Sequence, residues 1–293
     1  MDRIPAPARR RRADRWLWPL VPALVLVALI FIAPLCSLLL ASFHEMSGPG
    51  QIGGEFTLAN YLSFISDPFF LDILRRTCWL GLLVVACCLV TGFPVAYAIA
   101  RTRSKWRGLA LFLVIAPLLV SAIVRNIGWY PLLSQSGLVN WLLLRLGVVS
   151  APVTLINNFT GVVIGLTHAL LPFMILTLTT VIQRIDRELE EAAANLGAGP
   201  FAVFWRVLLP LSLPGVVSGS LIVFTMAISA YTTPAILGGN RVLVMATYIA
   251  QQFRTVLDYP AGGTAAAILL LATGALTLFA LRLEPSGAGS REP

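Results

Sequence analysis

Charge is what this sequence has least of. Asp, Glu, Lys and Arg make up 12% of its 293 residues, against 58% hydrophobic ones, too few to cover the surface of a water-soluble domain. Acid is scarcer than base, with 13 Asp and Glu against 21 Lys and Arg, and every acidic residue lies outside the long apolar runs. An ion-coupled secondary transporter usually needs an intramembrane Asp or Glu, or a matching pair of broken helices. Neither is evident, which leaves that class, or a channel, as the lesser alternative. The sequence has two histidines but no HExxH zinc site, no nucleophile-elbow serine and no Walker-type phosphate loop. No catalytic residue or metal ligand is therefore assigned, and any chemical energy must come from another polypeptide. The four cysteines, Cys36, Cys78, Cys87 and Cys88, all fall inside apolar runs and read as packing residues. The net charge of +8 comes from basic residues beside apolar runs rather than from an aromatic-interleaved patch, so nucleic acid is not an expected partner.

What is present is a series of uncharged apolar runs, Leu17 to Phe43, Thr77 to Ala100, Leu109 to Val124, Phe159 to Ile182, Leu211 to Leu237 and Thr264 to Leu281. The third is short but extends to residue 131 through Asn126, Trp129 and Tyr130, as suits a polar-faced or interfacial end. The expected fold is all-α, a polytopic membrane protein of six helices, each taking roughly 20 residues. The run beginning at Leu17 is far longer than the ~7–15 apolar residues of a signal peptide and reads as a retained first span. The predicted organisation is a basic tail over 1–16, a transmembrane domain over 17–281 with a long loop at 183–210, and a short tail over 282–293.

An even number of spans puts both termini on one side. That side collects Arg3, Arg9 to Arg12, Arg15, Arg101, Arg103, Lys105, Arg107, Arg184, Arg187, Arg206, Arg282 and Arg291, while the other holds Arg75, Arg76, Arg145, Arg241 and Arg254. The richer set is cytoplasmic by the positive-inside rule. On the opposite side, His44 to Asp72 is a Gly-containing loop whose aromatic second half reads as interfacial helix. Residues 134–146 place Leu138, Trp141, Leu142 and Arg145 at helical spacing, as in an amphipathic piece lying on the surface. No strand-like alternation is visible. Pro94, Pro117, Pro172, Pro214 and Pro234 fall in or near spans and predict kinks, either the ordinary ones of membrane helices or those of a bundle that opens and closes around a pathway.

The loop between the fourth and fifth runs is the most informative segment. Asp186 is a good N-cap, and Glu188, Glu190 and Glu191 favour the positive end of a helix dipole. Ala192 to Ala194 propagate the helix and Gly197 suits its end. Pro200 then fits the first position of a second short helix. Three small alanines let a partner's groove approach the backbone, while Arg187 and Glu191 offer charge to its rim. A solvated amphipathic loop would have the same composition.

The spacing Glu191-Ala192-Ala193, then Gly197, then Val207-Leu208-Leu209-Pro210 resembles the signature loop of binding-protein-dependent ABC importer permeases, with Val207 where that pattern favours isoleucine. Thr57-Leu-Ala-Asn60-Tyr61, Ile123-Val-Arg125-Asn-Ile-Gly-Trp129 and Ser136-Gly137-Leu-Val-Asn140-Trp-Leu resemble the spermidine/putrescine branch, so that the resemblance covers roughly Thr57 to Thr273. It implies a non-catalytic subunit of the bacterial inner membrane. Partners would be an ATP-binding cassette ATPase dimer, a second permease chain, an extracytoplasmic solute-binding protein and the lipid bilayer. ATP and Mg would sit on the ATPase, with no cofactor in this chain. Asp186, Glu190, Glu191, Ala192, Ala193, Gly197 and Pro210 would couple to that ATPase. A polyamine is the favoured solute, with iron, thiamine, opines and aminophosphonates open.

Residues for the translocation path are read from the spans. Arg125 is the one charged residue near the core of a span, a functional candidate by default, although snorkelling to the outer interface would also place it there. Asn126 lies beside it. His168 would line a polar cavity or bond to a neighbouring helix. Trp129, Tyr130, Tyr231 and Thr232 sit near outer span ends, where belt aromatics are expected and a cation–π surface for a polyamine is the rarer use.

Overall fold

The computed structural model describes residues 20–102 and 104–283. The basic tail over 1–16, the first residues of the first span, Arg103 and residues 284–293 lie outside the described residues, while 282 and 283 of the predicted second tail continue α12. Five helices are long and apolar enough to cross a membrane, and a sixth crossing is a bent pair.

The centre is built by three long helices, α3 (Pro68–Arg101), α7 (Phe159–Arg184) and α10 (Leu209–Ile228). Each start has a local cause. Asp67 caps α3 by accepting the Phe69 N–H at 2.8 Å, with Pro68 at the first helical position, and Asn158 caps α7 by accepting the Thr160 N–H at 3.1 Å. Between them lies a fully buried seam of Leu80, Val84, Cys88, Val162, Met174, Leu178 and Val223. Water is absent from a bilayer core, so apolar burial does not drive helices together there; close packing of small residues does. Gly81 is the clearest case, since a Cβ there would sit 2.7 Å from a Phe224 ring carbon and 2.8 Å from Ile228 Cγ2.

Around this core run α1 (Leu20–Ala41) and α12 (Tyr259–Leu283). None of the described residues of α1 is buried, and its main neighbour is α12. The two are tied where α1 ends, by the Thr264 hydroxyl donating to the Ser42 carbonyl at 3.2 Å.

Three features depart from the reading of the sequence. First, the loop after α1 carries an antiparallel hairpin, β1 (His44–Gly48) with β2 (Gln51–Phe56), where no strand was expected. Its Gly-Pro-Gly tip explains the miss, because glycines inside and beside the strands hide any alternation. Gly50 takes φ +77° and its N–H donates to the Leu257 carbonyl at 2.8 Å. The second half of that loop is helical as expected, α2 (Ala59–Ser66).

Second, the third apolar run is not one helix. It consists of α4 (Trp106–Ile115), a 3-10 turn at Ala116–Leu119 and α5 (Ala122–Leu133), and the chain turns by 100° between Trp106–Leu119 and Ala122–Arg145. Pro117 lies in the turn, and Val120 and Ser121 both have extended ψ, near 133° and 138°, which ends the helix. The following α6 (Leu138–Arg145) is the expected surface helix, with Leu138, Trp141 and Leu142 exposed and the Arg145 guanidinium over the Trp141 ring at 5.5 Å.

Third, the fifth crossing starts earlier and stops sooner than its apolar run. It enters through α9 (Pro200–Val203) and a π-helical stretch, Phe204–Leu208, and α10 ends at Ile228. Residues Pro234–Gly238 form a separate π turn, followed by α11 (Met245–Gln251). The Met245 N–H donates to the buried Thr77 hydroxyl at 2.9 Å, which fixes α11 on α3.

The bundle therefore has two distinct ends. One gathers the hairpin, the start of α3, α11 and the start of α12. The other gathers Arg101, the end of α7 and the loop over 183–210.

Candidate functional site

At that second end the loop folds into α8 (Arg187–Asn195), then the reverse turn into α9. Asp186 caps α8, its carboxylate accepting the Glu188 N–H at 3.4 Å. The helix stops in a Schellman arrangement. The Ala198 N–H donates to the Ala193 carbonyl at 3.1 Å and the Gly197 N–H to the Ala194 carbonyl at 2.9 Å. Gly197 takes φ +86°, the left-handed region that glycine reaches without a Cβ penalty. Ala192 and Ala194 are exposed and Ala193 half-buried. Glu191 is 64% exposed and pairs with Arg187 at 3.3 Å. Leu196 and Phe201 stand further out, 90% and 75% exposed. Pro210 lies exposed directly after the π-helical stretch Phe204–Leu208, inside the continuous helical run from Pro200 to Ile228.

Glu190, about 100° round the helix from Glu191, faces α3. Its carboxylate accepts from the Tyr97 hydroxyl at 2.8 Å and from the Arg101 guanidinium, both on the last turns of α3, and Arg101 donates a further bond to the Ile185 carbonyl at 3.0 Å. Both charged side chains are nearly buried, at 14% and 12% exposure.

A second polar group sits where the broken crossings meet. Asn126 on α5 is fully buried, and its Nδ2 donates to the Thr233 hydroxyl at 3.1 Å, just ahead of the π turn. Arg125 turns back over the break and donates to the Pro117 carbonyl at 2.8 Å. Trp129 Nε1 donates to His168 Nδ1 on α7 at 3.3 Å, the rings edge-to-face at 5.4 Å. The Arg125 Nε, Asn126 Oδ1 and Thr167 Oγ1 atoms are buried with no partner among the described residues. Unpaired polar atoms are costly in an apolar medium. Three of them lie together in this seam, and a fourth such atom in the spans, Thr179 Oγ1, lies further along α7.

The remaining path candidates are dispersed. Tyr130 lines an outer cleft of about 620 Å3 with Ser134, Asn157 and Arg241. Tyr231 carries the Arg254 guanidinium over its ring at 5.5 Å, and Thr232 beside it is half-buried. Arg125, Asn126, Trp129 and His168 are thus brought together, whereas Tyr130, Tyr231 and Thr232 are placed around them.

Residues 6–283 match the family of the binding-protein-dependent transport system inner membrane component. The chain belongs to that family. Among curated relatives, the spermidine/putrescine transport system permease protein PotB of Haemophilus influenzae is 33% identical over 259 residues, 88% of this chain and 90% of PotB. PotB of Escherichia coli K12 is also 33% identical, over 86% of this chain and 91% of its own. Among solved structures, a bacterial ABC transporter involved in the import of the acidic polysaccharide alginate superposes with a TM-score of 0.71 at 19% identity, covering 93% of this chain and 96% of that one. It shares the fold. The chain is thus a multi-pass membrane permease of an ABC importer.

Three residues that complete these sites were not singled out from the permease's sequence. Tyr97 and Arg101 are four apart, a spacing that puts both on one helix face, but their partner lies on a loop about ninety positions later, with no local sign of the pairing. Thr233 was passed over for its neighbour Thr232, and only the break after α10 turns Thr233 inward, to 4% exposure.

Proposed function

We propose that this permease forms one half of a pathway importing a small solute, with a polyamine such as spermidine or putrescine in first place. An extracytoplasmic binding protein delivers the solute, a second, paralogous permease chain completes the pathway, and a separate ATPase dimer holds ATP and Mg and drives the cycle. Both termini and the 183–210 loop face the cytoplasm, following the basic side of the sequence.

The observation that carries the coupling role is the helix over 187–195. It is capped by Asp186, ended by Gly197 in left-handed conformation, and leaves Ala192, Ala194 and Glu191 exposed at the end of the bundle opposite the hairpin. Such a helix can enter a cleft and be pushed as a unit. ATP binding closes the ATPase pair, the docked helix moves with it, and the bundle opens to the loaded binding protein; hydrolysis resets it.

The polyamine reading rests on the names of the curated relatives. Among the described residues of the spans the only carboxylate is Asp72, in the first turns of α3, where it is paired with Arg75 and Arg76. A polycation would instead meet neutral acceptors, Asn126 Oδ1 and Thr167 Oγ1, and aromatic faces such as that of Tyr231, which already takes a cation from Arg254. Weak neutral sites suit passage, because a conducting site must release what it binds. Selectivity then belongs mainly to the binding protein.

The test is co-expression with candidate ATPases and purification of the complex. An ATPase that co-purifies with the unchanged chain and is lost on Glu191→Lys supports the coupling role. Failure of every ATPase to associate would remove it. Labelled spermidine taken up by the reconstituted complex supports the solute, and an active complex that ignores spermidine removes the polyamine alone.

A further inference from the structure

α8 has little packing of its own against the bundle. Its neighbours are chiefly α9 and the π-helical stretch after it, and between these and α3 lies a largely apolar cavity of about 840 Å3, whose walls include Phe93, Pro94, Phe204 and Leu208. Two side-chain struts cross this gap. One is the edge-to-face pair Phe93–Phe204, with centroids 5.2 Å apart. The other is the group formed by Tyr97, Arg101 and Glu190, the one ion pair among the described residues in which both partners are nearly buried.

We infer that Tyr97, Arg101 and Glu190 form a clamp by which α3 positions and carries the coupling helix, so that Glu190 acts inside this chain while its neighbour Glu191 faces the partner. The inference rests on the reading of 187–195 as the coupling helix. Both Glu190 oxygens are engaged by α3, one by the Tyr97 hydroxyl and the other by the Arg101 guanidinium. The same guanidinium holds the Ile185 carbonyl, at the point where the chain leaves α7. One cation thus joins the ends of two spans to the loop. Removing one member of a nearly buried pair leaves the other charge uncompensated, so loss of either Glu190 or Arg101 undoes the ionic part of the clamp as a whole. A helix held across a cavity by such a clamp transmits a push to α3. Without it, the helix pivots on its links to α9 and the push is lost.

The test uses conservative variants of the full chain. Glu190→Gln and Arg101→Gln should each raise hydrogen exchange of the 187–195 amides in nanodiscs roughly tenfold, as expected for the loss of a charge-assisted contact. The double variant should go no further than either single one, and Tyr97→Phe, which leaves the ion pair in place, should give a smaller rise. In the reconstituted complex, Glu190→Gln should keep its ATPase while spermidine taken up per ATP hydrolysed falls roughly tenfold. Unchanged exchange in both single variants, or effects that simply add, overturns the clamp. So does loss of the ATPase with exchange unchanged, which would make Glu190 a contact to the partner. Should the unchanged chain hold no ATPase, the coupling role fails while the exchange cycle still decides the clamp; should it ignore spermidine, only the solute reading fails.

Discussion

Gly197 offers a direct way to separate conformation from contact in the coupling loop. Its φ is +86°, and a Cβ built there meets nothing within 4 Å among the described residues. The cost of a side chain is therefore the backbone's alone, about 1–2 kcal/mol for alanine in the left-handed region. Asparagine visits that region more readily and should lose less, and a β-branched valine should lose the most. A cost of 1–2 kcal/mol is a factor of roughly 5–30 in the population of the correctly ended helix. The expected order of retained ATPase, and of protection at the Ala198 amide that closes the Schellman turn, is Gly197, then Asn, Ala and Val. Alanine matching glycine in both assays would refute the conformational argument. If asparagine and valine fail alike while the Ala198 amide stays protected, bulk is the fault, and Gly197 is a point of contact with the partner.

Three other outcomes follow from the geometry. The Asn126–Thr233 bond links the two broken crossings, and a double-mutant cycle of Asn126→Ala with Thr233→Val in thermal unfolding should give a coupling of about 0.6 kcal/mol, at most about 1.7; zero coupling would remove the link. Gly81→Val forces a side chain against Phe224 and Ile228 and should cost about 1–3 kcal/mol of stability, seen as less monodisperse protein on size-exclusion chromatography, whereas Gly108→Ala, with nothing within 4 Å among the described residues, should behave as the unchanged chain. Glu191→Lys breaks only an exposed pair with Arg187, so stability should move by less than about 1 kcal/mol while the ATPase is lost; retention of the ATPase would move the contact elsewhere on the loop.

The long crossings were legible because a bilayer asks one simple thing of a sequence, a run of apolar residues long enough to span it, and α1, α3, α7 and α12 each answer it. The breaks were not legible for the same reason. Apolar residues fill both α4 and α5, so hydropathy continues across Val120 and Ser121, where the backbone turns away. All five prolines predict kinks alike, but Pro94, Pro172 and Pro214 sit inside unbroken helices while Pro117 and Pro234 lie in broken ones. The residue type is the same in both sets. What differs is the backbone beyond the proline: after Pro117 it turns extended at Val120 and Ser121, and the Pro117 carbonyl accepts from the Arg125 guanidinium folded back over the break.

The candidate sites divide along the same line. The ends of α8 were readable, because a cap and a left-handed stop are local events written in Asp186 and Gly197. Its facing was not. Glu190 and Glu191 are identical in type and successive on a helix, so they project about 100° apart, and composition cannot say which looks inward. That is decided by where Tyr97 and Arg101 end their own helix, at one rim of the cavity beneath the loop. A helix with an acidic residue on each of these faces can be held from within and gripped from without at the same time. Coupling needs both, since a loop gripped only by its partner would move without moving the bundle, and a loop held only by the bundle would give the partner nothing to push.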